Sequence, residues 1–537
     1  MNMKRTWFVC VPLVTLVLLL TAAIGYGQQV PRLAPKQVVT HGIAAGDVNS
    51  FDPAFSGTSQ DHPIMHAVME GLVTYLAGDV STNFQPALAE KWEVSADGRT
   101  YTFHLRKGVK FHEGFGPFTA ADVEFSLNRY RDAKESAWAA QYSNISAVKV
   151  IDDFTVVVNL KSPDPFFLGR VATDNDSGSF MLSKKAFDQL GKTAMRLRPI
   201  GTGPFKFVEY RTKDRVVLAR NDDYWGGRPI LEQIIYRYMP STSARELALL
   251  NGEIHSMRCP LDAKLLERLK RQGMVITPFG PQIVWLFQMN TKVKPFDDIR
   301  VRRAVAYAFK REDLANFMGK DLAEPLFSPI PPTYFGAATR EDLPAELRYD
   351  HNPERAKALL KEAGLPNGFT ADMKISERDD YRQFMTILQQ QLKQVGININ
   401  LSMVDHTTYH SQGMKDAEKP LFFIGDLSYP DGLIMLKRFY DSSLALGKPT
   451  SARNYSRYEN PQVDAWLAEA EKTGDLERRP QLYMQIQKKV LEDMPVVPIV
   501  AQKQPGVRRP ELDLGYELKN SLVLETRFTK DTRLLQR

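Results

Sequence analysis

Alternating apolar and polar positions predict the first well-defined structural unit, early in the chain. Tyr101, Phe103 and Leu105 alternate with polar residues, which is the period of a half-buried β-strand. Thr119 and Asp122 form a capping box, so we predict that a helix begins after Thr119. The apolar positions of that helix recur at helical spacing: Ala120, Val123, Leu127 and Tyr130. The pattern is typical of a scaffold and contains no catalytic motif.

The apolar spacing of helices and the apolar–polar alternation of strands both recur in the second half of the chain. Asn352-Pro353 and Asn460-Pro461 are helix-start signals, and Gly364 is a stop signal for the first of these helices. A further helix ends at Gly396, after which Ile397, Ile399, Leu401 and Met403 alternate as a strand. Helix, glycine and strand in succession indicate an independently packed α/β domain.

Three groups of spaced motifs resemble those of a known protein family. The first runs from Trp92 to Ser126, the second combines Gly201–Phe205 with Tyr224-Trp225, and the third lies within 290–302. Together they closely resemble the periplasmic solute-binding proteins of the dipeptide, oligopeptide and nickel uptake group, which is extracellular solute-binding protein family 5. A pattern spread over this many residues is far more specific than a short motif.

The resemblance implies an α/β fold of two lobes, the periplasmic-binding-protein fold, with an extra subdomain inserted in the first lobe. The expected segments are 1–27 for a signal peptide, 28–72, 196–282 and 501–537 for lobe I, 73–195 for the inserted subdomain, and 283–500 for lobe II. Two chain crossings, near Pro281 and near Ala501, would form the hinge. Closure of the hinge would bury a ligand between the lobes.

The N-terminus has the organisation of a leader. Lys4 and Arg5 precede a largely apolar stretch, and Gly25 and Gly27 place small residues before a cut at Gln28. We therefore expect a cleavable signal peptide, with retention as an anchor as the open alternative. Because no cysteine lies at the junction, we do not expect a lipoprotein. The predicted location is the periplasm of a Gram-negative cell.

Composition narrows the class of protein. A chain of 537 residues is long enough for two or three domains, and 43% of them are hydrophobic. The formal charge is +7 with the basic residues dispersed, so we expect no nucleic-acid partner. After removal of the leader only Cys259 remains, and it cannot form an internal disulfide.

The resemblance also implies the function. We expect the non-enzymatic substrate-binding component of an ATP-binding-cassette importer, a monomer without a cofactor. It would present a peptide or another small polar solute to a permease and ATPase complex at the inner membrane. The sequence leaves the ligand open between a di- or oligopeptide, a nickel chelate, heme, glutathione and an oligosaccharide, because one scaffold can serve different ligands.

Candidate ligand contacts lie in three segments. The residues are Ser56, Gly57 and Thr58 in one loop, Trp285 and Phe287 in one strand, and Asp426, Ser428 and Tyr429 in a third segment. In peptide-binding relatives an aspartate holds the peptide's α-amino group. Alignment on Gly425-Asp426 gives that place to Asp426, whereas alignment on Tyr429-Pro430-Asp431 gives it to Ser428. Asp431 itself is expected to be a turn residue.

A second class of function needs a metal. Asp61, His62, His66 and Glu70 have a spacing that suits zinc, so the alternative is a periplasmic metal-dependent hydrolase. Pro63 favours a helix start here, with Asp61 or His62 as its cap. Cys259 has only His255 near it in sequence, and its setting beside Pro260 is expected to be structural. We therefore expect no metal and no catalytic residue.

Overall fold

The structure, a computed structural model, describes most of the chain. The described residues are 32–56, 60–80, 84–173, 178–409, 416–427, 431–448, 450–451, 453–475, 477–519 and 525–536. The predicted leader and four of the candidate contacts, Gly57, Thr58, Ser428 and Tyr429, lie outside the described residues.

Short strands and helices alternate irregularly through the first half. They are β1 (Val38–Ile43), α1 (His62–Val68), β2 (Val73–Thr74), β3 (Gln85–Pro86), β4 (Ala89–Val94), β5 (Thr100–Leu105), β6 (Lys110–Phe111), β7 (Gly116–Pro117), α2 (Ala120–Arg131), α3 (Ala139–Tyr142), β8 (Ile145–Asp152), β9 (Thr155–Leu160), α4 (Phe167–Arg170), α5 (Lys184–Met195), β10 (Phe205–Arg211), β11 (Arg215–Arg220), β12 (Gln233–Tyr238), α6 (Thr242–Asn251), β13 (Ser256–Arg258) and α7 (Ala263–Arg271).

Longer elements follow in the second half. They are β14 (Val275–Met289), α8 (Ile299–Ala308), α9 (Arg311–Met318), β15 (Ala323–Pro325), α10 (Ala345–Arg348), α11 (Pro353–Glu362), β16 (Phe369–Ser376), α12 (Asp379–Gln394), β17 (Ile397–Val404), α13 (His406–Thr408), β18 (Leu421–Leu427), α14 (Gly432–Tyr440), α15 (Pro461–Lys472), α16 (Arg478–Asp493), β19 (Val496–Arg508), β20 (Leu512–Asp513) and β21 (Arg533–Leu534).

One mixed sheet of nine strands organises the molecule. Its order is β10-β11-β12-β1-β13-β19-β14-β18, and β15 also pairs with β19. β1 lies parallel to both β12 and β13, and the other pairs in this sheet are antiparallel. The mixed α/β class predicted from the sequence is confirmed.

The long strands β14 and β19 pair with each other and lie between β13 and the edge strand β18. They pair from Val275 opposite Arg508 to Gln288 opposite Val496, with a register break between Phe279 and Ile283. The prolines and glycines at 278–281 and 505–506 are typical of residues that end a strand. Both strands nevertheless continue past them, because they pair antiparallel with each other. The predicted chain crossings fall within these two strands.

A separate sheet of four strands includes β4 and β5, which overlap the first motif region, from Trp92 to Ser126. β4, β5, β9 and β8 are antiparallel neighbours, and α2 packs against them. Tyr101, Phe103 and Leu105 are buried, which confirms the predicted alternation. The main-chain N–H of Thr119 donates to the Asp122 carboxylate at 2.9 Å, and the four apolar positions predicted for the inner face of α2 are fully buried.

Buried hydrophobic side chains of the described residues form separate clusters. The largest extends from Val284 to Ala501, and a second extends from Ala54 to Ile200. A third combines residues of β1, β12 and α1 with the C-terminal segment around Leu512 and Phe528. The domain boundaries given above remain a prediction, but the molecule has the separately packed cores that such boundaries require. Within the described residues, no helix has the length and apolar character needed to cross a membrane.

Candidate ligand-binding site

The strand β18 lies at one edge of the nine-stranded sheet, next to β14. Asp426, near the end of β18, stands opposite Val284, which in turn stands opposite Ala501 of β19. Asp426 is therefore close in register to the break in the pairing of β14 with β19.

Two arginines face the carboxylate of Asp426. Arg438 donates from Nε and Nη2 to the two carboxylate oxygens at 3.1 and 3.0 Å, and Nε of Arg453 lies 3.3 Å from Oδ2. The Asp426 side chain is 5% exposed, whereas those of Arg438 and Arg453 are 24% and 29% exposed. One carboxylate thus faces two guanidinium groups, and the cluster carries a net positive charge.

Arg453 is held from more than one side. Its Nη1 donates to the hydroxyl of Tyr455 at 2.8 Å, and the Tyr455 ring stacks on Phe422 with centroids 5.4 Å apart. Burial is the largest single influence and opposes the charge of Arg453, but Asp426, Tyr455 and Tyr381 together outweigh it and raise the pKa of the guanidinium above its usual value. Among the described residues, nothing accepts a hydrogen bond from Nη2 of Arg453.

A second carboxylate of the same segment, Asp431, is fully neutralised. Arg479 and the Tyr483 hydroxyl both donate to it, the latter at 2.7 Å, and all three side chains are buried. Its carboxylate also accepts from the main chain of Leu433 at 3.0 Å and caps α14. The expectation that Asp431 is a turn residue is therefore incomplete, because its ion pair comes from a helix that starts almost fifty residues later.

The Asp431 cluster, which consists of Asp431, Arg479 and Tyr483, contacts the segment that follows strand β9. The Arg479 guanidinium lies 5.1 Å from the centre of the Phe166 ring, and Phe166 follows β9 just before α4. On its other side Arg479 lies 5.3 Å from the ring of Phe335. This contact joins the regions 73–195 and 283–500 at a point away from β14 and β19.

The two aromatic candidates on β14 lie in the largest core. Trp285 is 2% exposed, donates from Nε1 to Gln502 at 2.7 Å and stacks on Phe423 at 5.2 Å between ring centres. Phe287 has no exposed surface and packs edge-on against Phe309 at 5.2 Å. Of the two rings, only Trp285 carries a polar group, and Gln502 already accepts from it.

The loop that contains Ser56 is anchored to α2. Asp52 receives two hydrogen bonds from the guanidinium of Arg129, at 2.7 and 2.6 Å, and both side chains are buried. The main-chain N–H of Ser56 donates to the Asp52 carbonyl at 2.9 Å. The Ser56 side chain is buried, and its hydroxyl has no hydrogen-bond partner among the described residues. A rigid base of this kind suits a loop that places small residues against a ligand.

The proposed metal group of the hydrolase alternative is used in other ways. The Glu70 carboxylate accepts from Thr202, Tyr224 and Trp225 at 2.7–2.9 Å, and its burial raises its pKa. Asp61 precedes α1 as expected, but its carboxylate accepts from the main-chain N–H groups of Asn49 and Ser50. Within the described chain, no three His, Cys, Asp or Glu side chains are placed to share a metal. The hydrolase alternative is not supported.

Two further groups could suggest nucleophilic catalysis. Cys259 is buried, and burial raises the pKa of its thiol to about 12, while His255 accepts from the main-chain N–H of Thr40. Ser256, His41 and Glu525 form a row with separations of 2.8 and 3.3 Å, but none of the three is more than 1% exposed. Both arrangements stabilise the scaffold and neither is open to a substrate.

The mixed sheet, the separately packed cores and the two long connecting strands define a two-lobed α/β binding protein. The model of "Bacterial extracellular solute-binding proteins, family 5 Middle" matches residues 83–445. The chain therefore belongs to this family of solute-binding proteins, and it functions as a substrate-binding component of an ATP-binding-cassette importer.

Similar proteins agree with this assignment. The dipeptide-binding protein of Escherichia coli is 31% identical, over 82% of this chain and 85% of the relative. The glutathione-binding protein GsiB of Pectobacterium atrosepticum is 30% identical, over 92% and 94%. The solved structure of MoaA from A. tumefaciens R10, in complex with mannopinic acid, is 31% identical with a TM-score of 0.73, and the match covers 93% of this chain and all of that one.

The sequence analysis did not predict that arginines surround Asp426 and Asp431. Arg438, Arg453 and Arg479 come from positions 12 and 27 residues beyond Asp426 and 48 residues beyond Asp431. No local period links an acid to a base at such separations. A count of charged residues over 425–480 indicates that acids and arginines occur in one segment. Only the folded chain shows which acid pairs with which arginine.

Proposed function

We propose that the chain captures a peptide or a similar small polar solute in the periplasm by closing its two lobes around it. The proposal rests on how the separately packed regions of the molecule are connected. β14 and β19 join the cores, and a second contact, between Phe166 and Arg479, joins the regions 73–195 and 283–500 elsewhere. A connection by two strands and a distant side-chain contact are what a hinged cleft needs.

The lobes follow from the same arrangement. Residues 28–72, 196–282 and 501–537 would form lobe I, 73–195 its inserted subdomain and 283–500 lobe II. The register break between Phe279 and Ile283 would be part of the hinge, because irregular pairing allows a strand to bend.

The ligand would lie between the loop at Ser56, Gly57 and Thr58 and the segment that holds Asp426, Ser428 and Tyr429, with Trp285 at the floor. Phe287 would support Trp285 from the core. Since Asp426 already faces two arginines, an ammonium would gain little from it, and Asp426 would act by fixing those arginines. This favours Ser428 for the place that an amine-binding aspartate takes in peptide-binding relatives.

The remaining features complete the proposal. The chain would be exported by a cleavable signal peptide at residues 1–27, without a lipid anchor. It would act as a monomer without catalytic activity, and it would deliver its solute to the permease of the inner membrane. The ligands for which similar proteins are named, a dipeptide, glutathione and mannopinic acid, support a small polar solute.

A thermal-shift screen of the mature protein tests the proposal. The probes are di- to pentapeptides, glutathione, a sugar acid, neutral sugars, nickel with histidine, and heme. A true ligand binds the native state and raises the melting temperature in proportion to the logarithm of its concentration. The proposal expects a peptide or a similar small polar solute to do so. It would be overturned if only heme or a nickel complex stabilised the protein, or if a hydrolysis product accumulated.

A further inference from the structure

We propose that Phe166 and Arg479 form a latch between the regions 73–195 and 283–500, which holds part of the protein closed before any ligand binds. The inference rests on the proposed capture by lobe closure and names a contact that regulates that closure. It starts from two adjacent phenylalanines, Phe166 and Phe167, whose side chains pack in different hydrophobic clusters.

Phe167 anchors its segment to the four-stranded sheet. Its ring is 1% exposed and belongs to the second hydrophobic cluster, with its centre 4.8 Å from that of the Tyr101 ring. The Tyr101 hydroxyl donates to the carbonyl of Asp164 at 2.8 Å, and the Asp164 carboxylate accepts from the main-chain N–H of Phe166 at 3.0 Å. The backbone that carries Phe166 is therefore fixed to the region 73–195.

Phe166 itself packs elsewhere. Its ring is partly buried against the largest hydrophobic cluster, whose buried members all lie within residues 284–501. Among the residues that the structure describes, no other apolar side chain of the region 73–195 packs against that cluster. Because two adjacent residues are held by two different clusters, this short segment ties the region 73–195 to the region 283–500.

Arg479 supplies the other half of the latch. It is 2% exposed, and it donates to the Asp431 carboxylate and to the Tyr483 hydroxyl, the latter at 2.6 Å. Its guanidinium lies 5.1 Å from the centre of the Phe166 ring and 5.3 Å from that of Phe335. The buried Nε of Arg479 has no hydrogen-bond acceptor in the described part of the chain. Two aromatic rings thus complete the surroundings of this cation.

The two ring contacts would respond differently to opening of the lobes. Phe335 lies in the same region as Arg479, so that contact survives a separation, whereas the contact with Phe166 is lost. Opening would bring water to the guanidinium and to the Phe166 ring, and a cation is attracted less strongly to a ring in water than in a desolvated site. It would also expose apolar surface. The contact therefore favours the closed form whether or not a ligand is present.

The test measures closure in the protein without ligand, prepared by unfolding and refolding. Spin labels on Lys161→Cys and Gln481→Cys, two exposed positions on either side of the contact, report the separation of the two regions by pulsed electron paramagnetic resonance. The unaltered protein should show a short and a long distance. Phe166→Ala should lower the ratio of short to long about fivefold. Phe154→Ala, whose ring contacts Lys107 within its own region, is the matched control and should leave the ratio unchanged.

A milder variant separates the ring from its apolar surface. Phe166→Leu keeps an apolar side chain and loses the aromatic face, so it should lower the ratio only about two- to threefold. Should Phe166→Ala fail to fold, this variant still decides.

The possible failures are distinguishable. Equal ratios in the unaltered protein and the Phe166 variants would overturn the latch, and so would a long distance alone in the ligand-free unaltered protein. Both results leave solute capture standing, provided that a solute of the thermal-shift screen removes the long distance when it is added. If no such solute changes the distances in the unaltered protein, capture by lobe closure is contradicted and this inference falls with it.

Discussion

Two sets of buried charges in this molecule differ in how completely they are paired. In the scaffold, the Asp52 carboxylate accepts two hydrogen bonds from one guanidinium, that of Arg129, which we call a closed pair, and Glu70 receives three hydrogen bonds. At the end of β18, Asp426 is shared between two arginines. A closed set adds stability and specificity to the fold, whereas the unequal set lies among the candidate ligand contacts.

The comparison separates two kinds of variant. Changes in the closed sets should alter stability whether or not a ligand is present, and changes at the unequal set should alter binding with little effect on stability. The following four predictions test this separation in order of decreasing effect.

Removal of Asp52 should have the largest effect. Asp52→Ala leaves the Arg129 guanidinium buried without its main partner, which costs about 3–5 kcal/mol in the free energy of unfolding. Chemical denaturation followed by circular dichroism would measure it, with and without ligand. The control Asp188→Ala removes an ion pair in which both side chains are about half exposed, and it should change little. Equal losses in both variants would contradict the comparison.

His112 should make stability depend on pH. It is buried, donates from Nε2 to the Gly203 carbonyl at 3.0 Å, and burial lowers its pKa to about 4. The unfolded chain therefore binds an additional proton between about pH 6.5 and pH 4, so the free energy of unfolding falls as the pH decreases through this window. The full difference is about 3 kcal/mol.

Denaturation midpoints at a series of pH values check this prediction. His112→Gln should flatten the slope between about pH 6.5 and pH 4, whereas His104→Gln, on the partly exposed face of β5, should not. An unchanged slope in His112→Gln would mean that other groups control the acid sensitivity of the scaffold.

Phe166 tests whether the contact with Arg479 belongs to closure. A cation beside an aromatic ring contributes about 1 kcal/mol when partly buried, so Phe166→Ala should weaken ligand binding about fivefold by disfavouring the closed form. Calorimetry with the best ligand of the screen would measure this change. Phe154→Ala is the control, since that ring contacts Lys107 within the small sheet. Equal affinity in Phe166→Ala and the unaltered protein would show that the contact persists in the open form.

The smallest predicted effect is that of salt. A carboxylate ligand should bind about two- to threefold more weakly when the ionic strength rises from about 50 to about 500 mM, because the arginines are only partly shielded from solvent. The corresponding amide should show almost no change over the same range. A salt effect of the same size on both ligands would place the electrostatic contribution outside the Asp426 cluster.

The scaffold could be predicted from the sequence because its signals are local. Tyr101, Phe103 and Leu105 face the core as their alternation predicts, and Thr119 with Asp122 starts α2. The length of β14 could not be predicted in the same way. Its segment around Phe279 has the residues of a turn, and only pairing with β19 makes it a strand.

The candidate site was only partly predictable for the same physical reason. Asp426 was found through its place in a family phrase, but the meaning of its charge depends on Arg438 and Arg453, which reach it through the tertiary fold. Trp285 and Phe287 illustrate the opposite difficulty. A large aromatic residue on a strand has the same sequence pattern whether it lines a cleft or fills a core.

The most direct test of the central claim is native mass spectrometry of the protein released from the periplasm under mild conditions. A closed binding protein that retains its ligand should show a second species, heavier than the mature chain by the mass of a peptide or a similar small polar solute, and unfolding followed by refolding should remove it. The mass of the mature chain alone, with no heavier species after addition of the solutes used in the thermal-shift screen, would contradict the account.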